Sequence, residues 1–237
     1  MLSVSYWEDK LYPTGASRCP VHTFVEQVGH HVRPEMTVLD IGAGAGERSV
    51  YDFRGKCHEM VGVDLDPRVV ENPLLDRGKV CTATEIPLPD NSVDLAFSIY
   101  VCEHVEDPTL FMQEVSRVLK PGGQFLSLAP NRVHYVPLIA SLTPTSFHKW
   151  VNRKRGRDDD DTFPTFYRLN STRTFRKHAS SAGLSDVQTE SVEVCPNYLR
   201  FALPFFLVGA AYERLVNSSQ LFARFRVNFI FSCRKPG

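Results

Sequence analysis

At 237 residues the chain suits one domain with room for an elaboration, and 43% apolar residues are enough to fill a core. With a formal net charge of +0, nothing in the global balance calls for nucleic acid or an anionic membrane. The six cysteines (Cys19, Cys57, Cys81, Cys102, Cys195, Cys233) form no C-x-x-C pair, which argues against a metal site or a disulfide framework and for free thiols in a reducing compartment.

Met1 to Lys10 lacks a basic segment followed by an apolar one, so a secretory leader is not expected and a cytoplasmic setting is. Tyr6, Trp7, Tyr12, Pro13 and Gly15 suggest an ordered arm, either packed on the domain or closing over a ligand. Phe24, Val25, Val28 and Val32 recur at helical spacing, so His22–Val32 reads as a helix that Pro34 ends.

Val38–Ile41 is a short apolar run with the character of a buried parallel strand. Gly42, Gly44 and Gly46 follow, where the backbone can turn tightly and approach a ligand closely. A helix is expected from Glu47 to about Arg54. A second strand, His58–Asp64, ends in an acid about 20 residues beyond the loop, where a carboxylate can accept hydrogen bonds from a ribose. Together these features point to a bound nucleoside.

Pro67 opens a short helix, and Lys79–Thr82 is a short third strand. Ile86 to Pro89 is a rigid loop before a turn at Asp90-Asn91. Val93–Ile99 is a fourth strand buried on both faces. Asp107–Leu119 is an amphipathic helix that Pro121-Gly122-Gly123 stops, and Gln124–Ala129 is the fifth strand. Alternating strands and helices predict an α/β, Rossmann-like doubly wound sheet. Its ligand should lie at the carboxyl ends of the strands, where Asp40, Asp64, Thr82 and Ser98 gather.

Residues 130–170, with Pro130, Pro137, Pro144, Pro164 and the charge block Arg153–Asp161, read as an insertion after strand five. Ser171 or Thr172 caps a helix running to about Ala182, closed by Gly183. Val187–Val194 suggests strand six, and residues 225–234 a last, antiparallel strand. Between them Phe201–Tyr212 is almost wholly apolar. It is too short to span a bilayer, which needs about 20 residues. It reads as a core or contact helix, or else as an apolar lid or a face for peripheral membrane contact. The single domain thus divides into an N-terminal arm and helix (1–35), a core (36–129), the insertion (130–170) and a C-terminal segment (171–237).

These motifs resemble the class I S-adenosylmethionine-dependent methyltransferases, within the broad subgroup that includes quinone-biosynthesis methyltransferases. The resemblance covers about residues 36–129. It is carried by Val38–Gly46, by Val61–Pro67, by Ala83–Asp94 and by Leu119-Lys120-Pro121-Gly122-Gly123. It implies a seven-stranded sheet with the last strand antiparallel, and S-adenosylmethionine as cofactor with S-adenosylhomocysteine as product. Gly42, Gly44 and Gly46 would pass under the methionine part, and Asp40 would help hold its amino group, directly or through water. Asp64, with Leu65 beside it, would take the ribose. Thr82 and Ala83 would lie beside the adenine, although the subgroup commonly has aspartate where Thr82 stands. Ser98 and Tyr100 would sit near the sulfonium.

Methyl transfer is an in-line displacement in which the protein chiefly positions the acceptor. For a hydroxyl or ammonium acceptor a base must take a proton. His104 after strand four, and His134 and Tyr135 after strand five, are the candidates, while Glu103 reads as a helix-start residue. The expected acceptor is a small molecule, large and partly apolar or lipid-like. The alternatives are a non-catalytic nucleoside-binding regulator and an NAD-dependent oxidoreductase. The G-x-G-x-G spacing differs from the G-x-G-x-x-G of NAD sites.

Overall fold

The computed structural model describes residues 3–14, 19–46, 51–131 and 164–237. The expected helix start at Glu47, the sites His134 and Tyr135, and the Arg153–Asp161 block lie outside them. The chain divides into two compact units. One comprises 24–130, 165–190 and 229–237. The other comprises 1–23, 131–164 and 191–228.

The first unit is built on a seven-stranded sheet of order β3-β2-β1-β4-β5-β7-β6. Its strands are β1 (Thr37–Ile41), β2 (Glu59–Asp64), β3 (Arg77–Val80), β4 (Val93–Ile99), β5 (Leu119–Pro130), β6 (Ser185–Val192) and β7 (Asn228–Arg234). The pairs β3–β2, β2–β1, β1–β4 and β4–β5 are parallel. β7 runs antiparallel to β5. Lys235 accepts from the Gly122 N–H and donates to the Gly123 carbonyl, both at 2.9 Å, while at the other end the Asn131 N–H reaches the Val227 carbonyl at 2.8 Å. The expected sheet and its reversed last strand are therefore present. β5 starts at Leu119 rather than at Gln124. Gly122, with φ 81°, lets the chain turn without leaving the sheet. The motif's lysine has a structural use, because Lys120 Nζ meets Asp94 Oδ2 at 2.7 Å and the same oxygen accepts the Thr37 N–H.

Strand parity decides what packs where. Ala96 of β4 and Phe125 of β5 are in register and face helices α3 (Pro108–Val118) and α4 (Thr172–Ser181). Stacked or edge-on rings continue that core from Phe111 through Phe125 and Phe175 to Phe231. On the opposite face Phe97 meets Phe24 of helix α2 (Pro20–His31) and Phe53. α3 starts at Pro108 because Asp107 accepts the N–H groups of Thr109 and Leu110.

The second unit holds helix α1 (Val4–Leu11) and helix α5 (Leu203–Asn217), the latter formed by the apolar run. Phe206 and Ala210 pack with Tyr12 and Cys195, and Val4, Trp7, Leu11 and Leu203 close the cluster. Among the described residues no helix is long and apolar enough to cross a membrane.

Candidate functional site

Register brings the carboxyl ends of the central strands level, since Ile41 lies opposite both Val63 and Ser98. The glycine loop leaves β1 there. The N–H groups of Gly42 and Ala43 both donate to the Val63 carbonyl, at 2.8 and 3.2 Å. Gly42, Gly44 and Gly46 all have positive φ, 83°, 55° and 76°. A Cβ at Gly42 would stand 2.3 Å from Val101 Cγ2, and one at Gly46 2.1 Å from Asn72 Oδ1. A Cβ at Gly44 would meet nothing within 4 Å among the described residues.

Two side chains fix this loop. Asp64 accepts the Gly44 N–H on one carboxylate oxygen and the Asp66 N–H on the other, each at 2.8 Å. Asn72 is buried and donates to the Ala43 and Gly44 carbonyls, both at 3.1 Å, while its Oδ1 accepts the Leu74 N–H. Sequence reasoning missed Asn72, for which the only local signal was an Asn-Pro turn dipeptide. Asn72→Ala strips the loop of both donor contacts. We expect a loss of about 1–3 kcal/mol in thermal-melt stability. Gly46→Ala is expected to be worse, since it forces a left-handed alanine into Asn72. Unchanged melting temperatures in both would contradict the clamp.

Asp40, one residue before the strand end, is buried. Burial, with a smaller push from Asp64, raises its carboxyl to about 8. A neutral acid is therefore favoured there until a cation arrives.

Beyond β3 the chain turns past Asp64, whose carbonyl accepts the Cys81 N–H at 2.9 Å. Thr82 falls just outside the strand and is exposed, with its hydroxyl 3.2 Å from that of Thr84. Ala83 is half-buried, and the Leu65 side chain is 56% exposed, leaving an apolar surface next to Asp64. The loop that follows is braced by Arg117 of α3. Its guanidinium donates to the Ile86 and Leu88 carbonyls and to Asp90, while Glu114 accepts the Ile86 N–H at 2.6 Å.

After β4 the structure places the expected residues differently from one another. Ser98 is wholly buried between β1 and β5, its hydroxyl donating to Ser127 Oγ at 2.9 Å, so the expected place beside the sulfonium does not hold for this residue. Tyr100 takes φ 58° with its N–H on the Leu128 carbonyl, a left-handed non-glycine residue at the strand end. His104 is half-buried, and its N–H donates to the Val101 carbonyl at 2.8 Å.

Glu103 is not a helix-start residue, because Asp107 caps α3. It is 6% exposed, and its Oε2 has no hydrogen-bond partner. Desolvation pushes its carboxyl up to about 7. Its carbonyl accepts the N–H groups of Phe166 and Tyr167, and Arg168 donates to the Glu106 carbonyl, so 103–106 is stitched to 166–168. Because the folded value lies above the unfolded 4.5, Glu103 stabilises the fold most at low pH and loses that contribution as pH rises toward 7. Glu103→Gln should therefore melt above wild type at pH 8, by roughly 3 kcal/mol at most, and converge with it near pH 4. Parallel melting curves at both pH values would contradict the burial argument.

Among the described residues no cluster of His, Cys, Asp or Glu could hold a metal ion. What the site can hold is a nucleoside with a cationic, flexible end. The carboxylate of Asp64 suits two hydroxyls, the apolar surface at Leu65 suits a base, and the glycine loop with Asp40 suits an ammonium-bearing chain.

Residues 39–127 match the family described as a methyltransferase domain. The chain is 34% identical over 123 residues to a probable S-adenosylmethionine-dependent methyltransferase of Mycolicibacterium smegmatis, covering 49% of this chain and 46% of that one. It is 32% identical over 142 residues to the ubiquinone/menaquinone biosynthesis C-methyltransferase UbiE of Burkholderia multivorans, covering 55% and 58%. The chain thus spans about half the length of the curated relatives it matches. Its fold is similar to the crystal structure of the YcgJ protein of Bacillus subtilis, with TM-score 0.56 and 22% identity over 91% of this chain and 99% of that one.

Proposed function

We propose that this chain, whose residues 39–127 are a methyltransferase domain on a class I fold, transfers a methyl group from S-adenosylmethionine to a small-molecule acceptor. The observation that carries the reading is the pairing of the left-handed glycine loop with Asp64, which holds that loop and has lone pairs to spare. The cofactor, when bound, supplies the activated methyl carbon. This chain's own residues bind, orient and exclude water. Asp64 takes the ribose hydroxyls. Asp40 pairs with the amino group, and Leu65 with Ala83 and the Thr82 segment flanks the adenine. Tyr100, left-handed at the end of β4, lines the reacting end. His104 is the proposed proton acceptor, with His134 and Tyr135 contributing from the segment after β5. A partly apolar or lipid-like acceptor is the finer proposal, supported by the apolar composition of Phe201–Tyr212. Six cysteines with no C-x-x-C pair support a cytoplasmic setting.

The test is incubation of the protein and methyl-labelled S-adenosylmethionine with a metabolite and lipid extract, followed by mass spectrometry. A labelled methyl increment on a specific compound supports transfer. Tight cofactor binding with no increment on any compound would favour the non-catalytic regulator. His104→Ala should lower turnover while leaving cofactor affinity intact, and unchanged turnover would remove His104 as the base.

A further inference from the structure

Helix α5 is apolar on both sides. Phe206, Gly209, Ala210 and Val216 face inward. A water-facing surface of a helix is normally polar. Here Pro204, Val208, Ala211 and Leu215, spaced at i, i+4, i+7 and i+11, make an exposed apolar stripe that Phe205 and Leu207 widen. Val208 is 66% exposed and Phe205 52%. The short helix that follows, Gln220–Phe225, adds Leu221 at 83% exposure. A run of exposed aliphatic and aromatic side chains marks a contact surface.

Charge says which contact. Between Pro196 and Arg226 the ionisable side chains of fixed sign are Arg200, Arg214, Arg224 and Arg226 against Glu213. Glu213 is spent on its own unit. Its Oε2 accepts the Tyr12 hydroxyl at 3.0 Å and its Oε1 accepts Asn217 Nδ2 at 2.7 Å. Arg200 is paired with Glu8 at 2.6 Å and Arg214 with Glu213 at 3.5 Å, so the positive excess of this segment rests on Arg224, which is exposed, and on half-buried Arg226. The surface is therefore apolar with a positive excess.

We propose that this face, α5 together with Gln220–Phe225, docks on an anionic lipid bilayer. The helix lies in the plane of the interface, since its 15 residues would reach only about 22 Å, short of a hydrocarbon core of about 30 Å. Phe205, Val208 and Leu221 enter the acyl boundary while exposed Arg224, on the short helix beside Leu221, meets a lipid phosphate. A second copy of the chain fits less well. An isologous contact through this face would bring the same arginines of both copies together. The proposal does not depend on the methyl-transfer reading.

The test is flotation of the full chain with phosphatidylcholine vesicles and with vesicles that also contain phosphatidylglycerol. Wild type should bind the anionic vesicles, bind the neutral ones weakly, and be partly released by high salt. The doubly substituted Val208→Asp/Leu221→Asp variant should lose at least about tenfold in membrane partitioning, as two buried aliphatic groups require. Both positions are exposed, so its melting temperature should stay near that of wild type. Arg224→Glu, which leaves the apolar stripe intact, should weaken binding to anionic vesicles alone and serves as the second variant should the first unfold. No flotation of wild type with anionic vesicles at low salt would overturn the proposal. Unchanged flotation of both variants would overturn it as well. A stable wild-type dimer by light scattering, dissociated by Val208→Asp/Leu221→Asp, would assign the face to self-association instead.

Discussion

Replacing Asp64 with alanine is expected to lower affinity for S-adenosylmethionine and S-adenosylhomocysteine by at least about 100-fold. Two effects combine. The carboxylate anchors the Gly44 and Asp66 N–H groups, each at 2.8 Å. Bonds of this charge-assisted kind contribute roughly 1.5–3 kcal/mol apiece, and each 1.4 kcal/mol is a factor of ten. In the proposed complex the same group would also offer the ribose its remaining lone pairs. Removing it leaves Gly44 N–H unsatisfied in a loop whose φ values are already left-handed. Asp64→Asn separates the two effects. It keeps the shape and one acceptor oxygen, but its amide cannot accept from the second backbone N–H, so an intermediate loss is expected. Titration calorimetry of both variants, with melting curves to monitor the apo fold, checks this. Unchanged affinity in Asp64→Ala would place the ribose elsewhere.

A steep pH dependence of cofactor binding is the second large effect. Asp40 has a folded value raised to about 8 against 3.8 for the free side chain, first through burial and then through Asp64. In the ligand-free fold it therefore holds its proton across the neutral range. Its contribution to stability is full below the unfolded value and falls as pH rises toward 8. Binding runs the other way. An ammonium placed beside Asp40 favours the carboxylate, so the proton must leave as the cofactor arrives. Affinity should rise with pH toward about 8, by up to about tenfold per unit at the steepest, and then fall as the cofactor's own α-amino group loses its proton. Calorimetry at about pH 6 in two buffers of different ionisation heat should register release of close to one proton, falling as pH nears 8 and giving way to uptake above it, where the cofactor's free amine has lost its own proton. Asp40→Asn should flatten the profile. A flat profile in wild type would mean that Asp40 takes no part in holding the amino group.

Much of the framework at the carboxyl ends of the strands was legible from residue order. The glycine loop, Asp64 and the β4 strand are carried by local patterns, a short apolar run followed by residues that permit or demand a special backbone. Asn72 was not legible, because its role is a tertiary contact made across a turn to carbonyls far away in sequence. Ser98 was misplaced by reading only its position at a strand end. Strand parity puts it on the same face as Ala96, toward Ser127. Glu103 was read as a helix-start residue because acids are common there, yet a neighbour, Asp107, does the capping. The Pro121-Gly122-Gly123 stop was read as a break, whereas a left-handed glycine keeps the chain in the sheet. The late strands and the apolar helix showed in their periodicity, but which side of α5 is exposed depends on packing with α1, which no local pattern encodes.

The central claim is that Gly42–Gly46 and Asp64 hold a sulfonium nucleoside. Calorimetric titration of the wild-type chain with S-adenosylmethionine, S-adenosylhomocysteine and NAD tests it most directly. The expected result is saturable one-to-one binding of the first two and none of NAD. Saturable binding of NAD, or no saturation with either sulfur nucleoside, would contradict it.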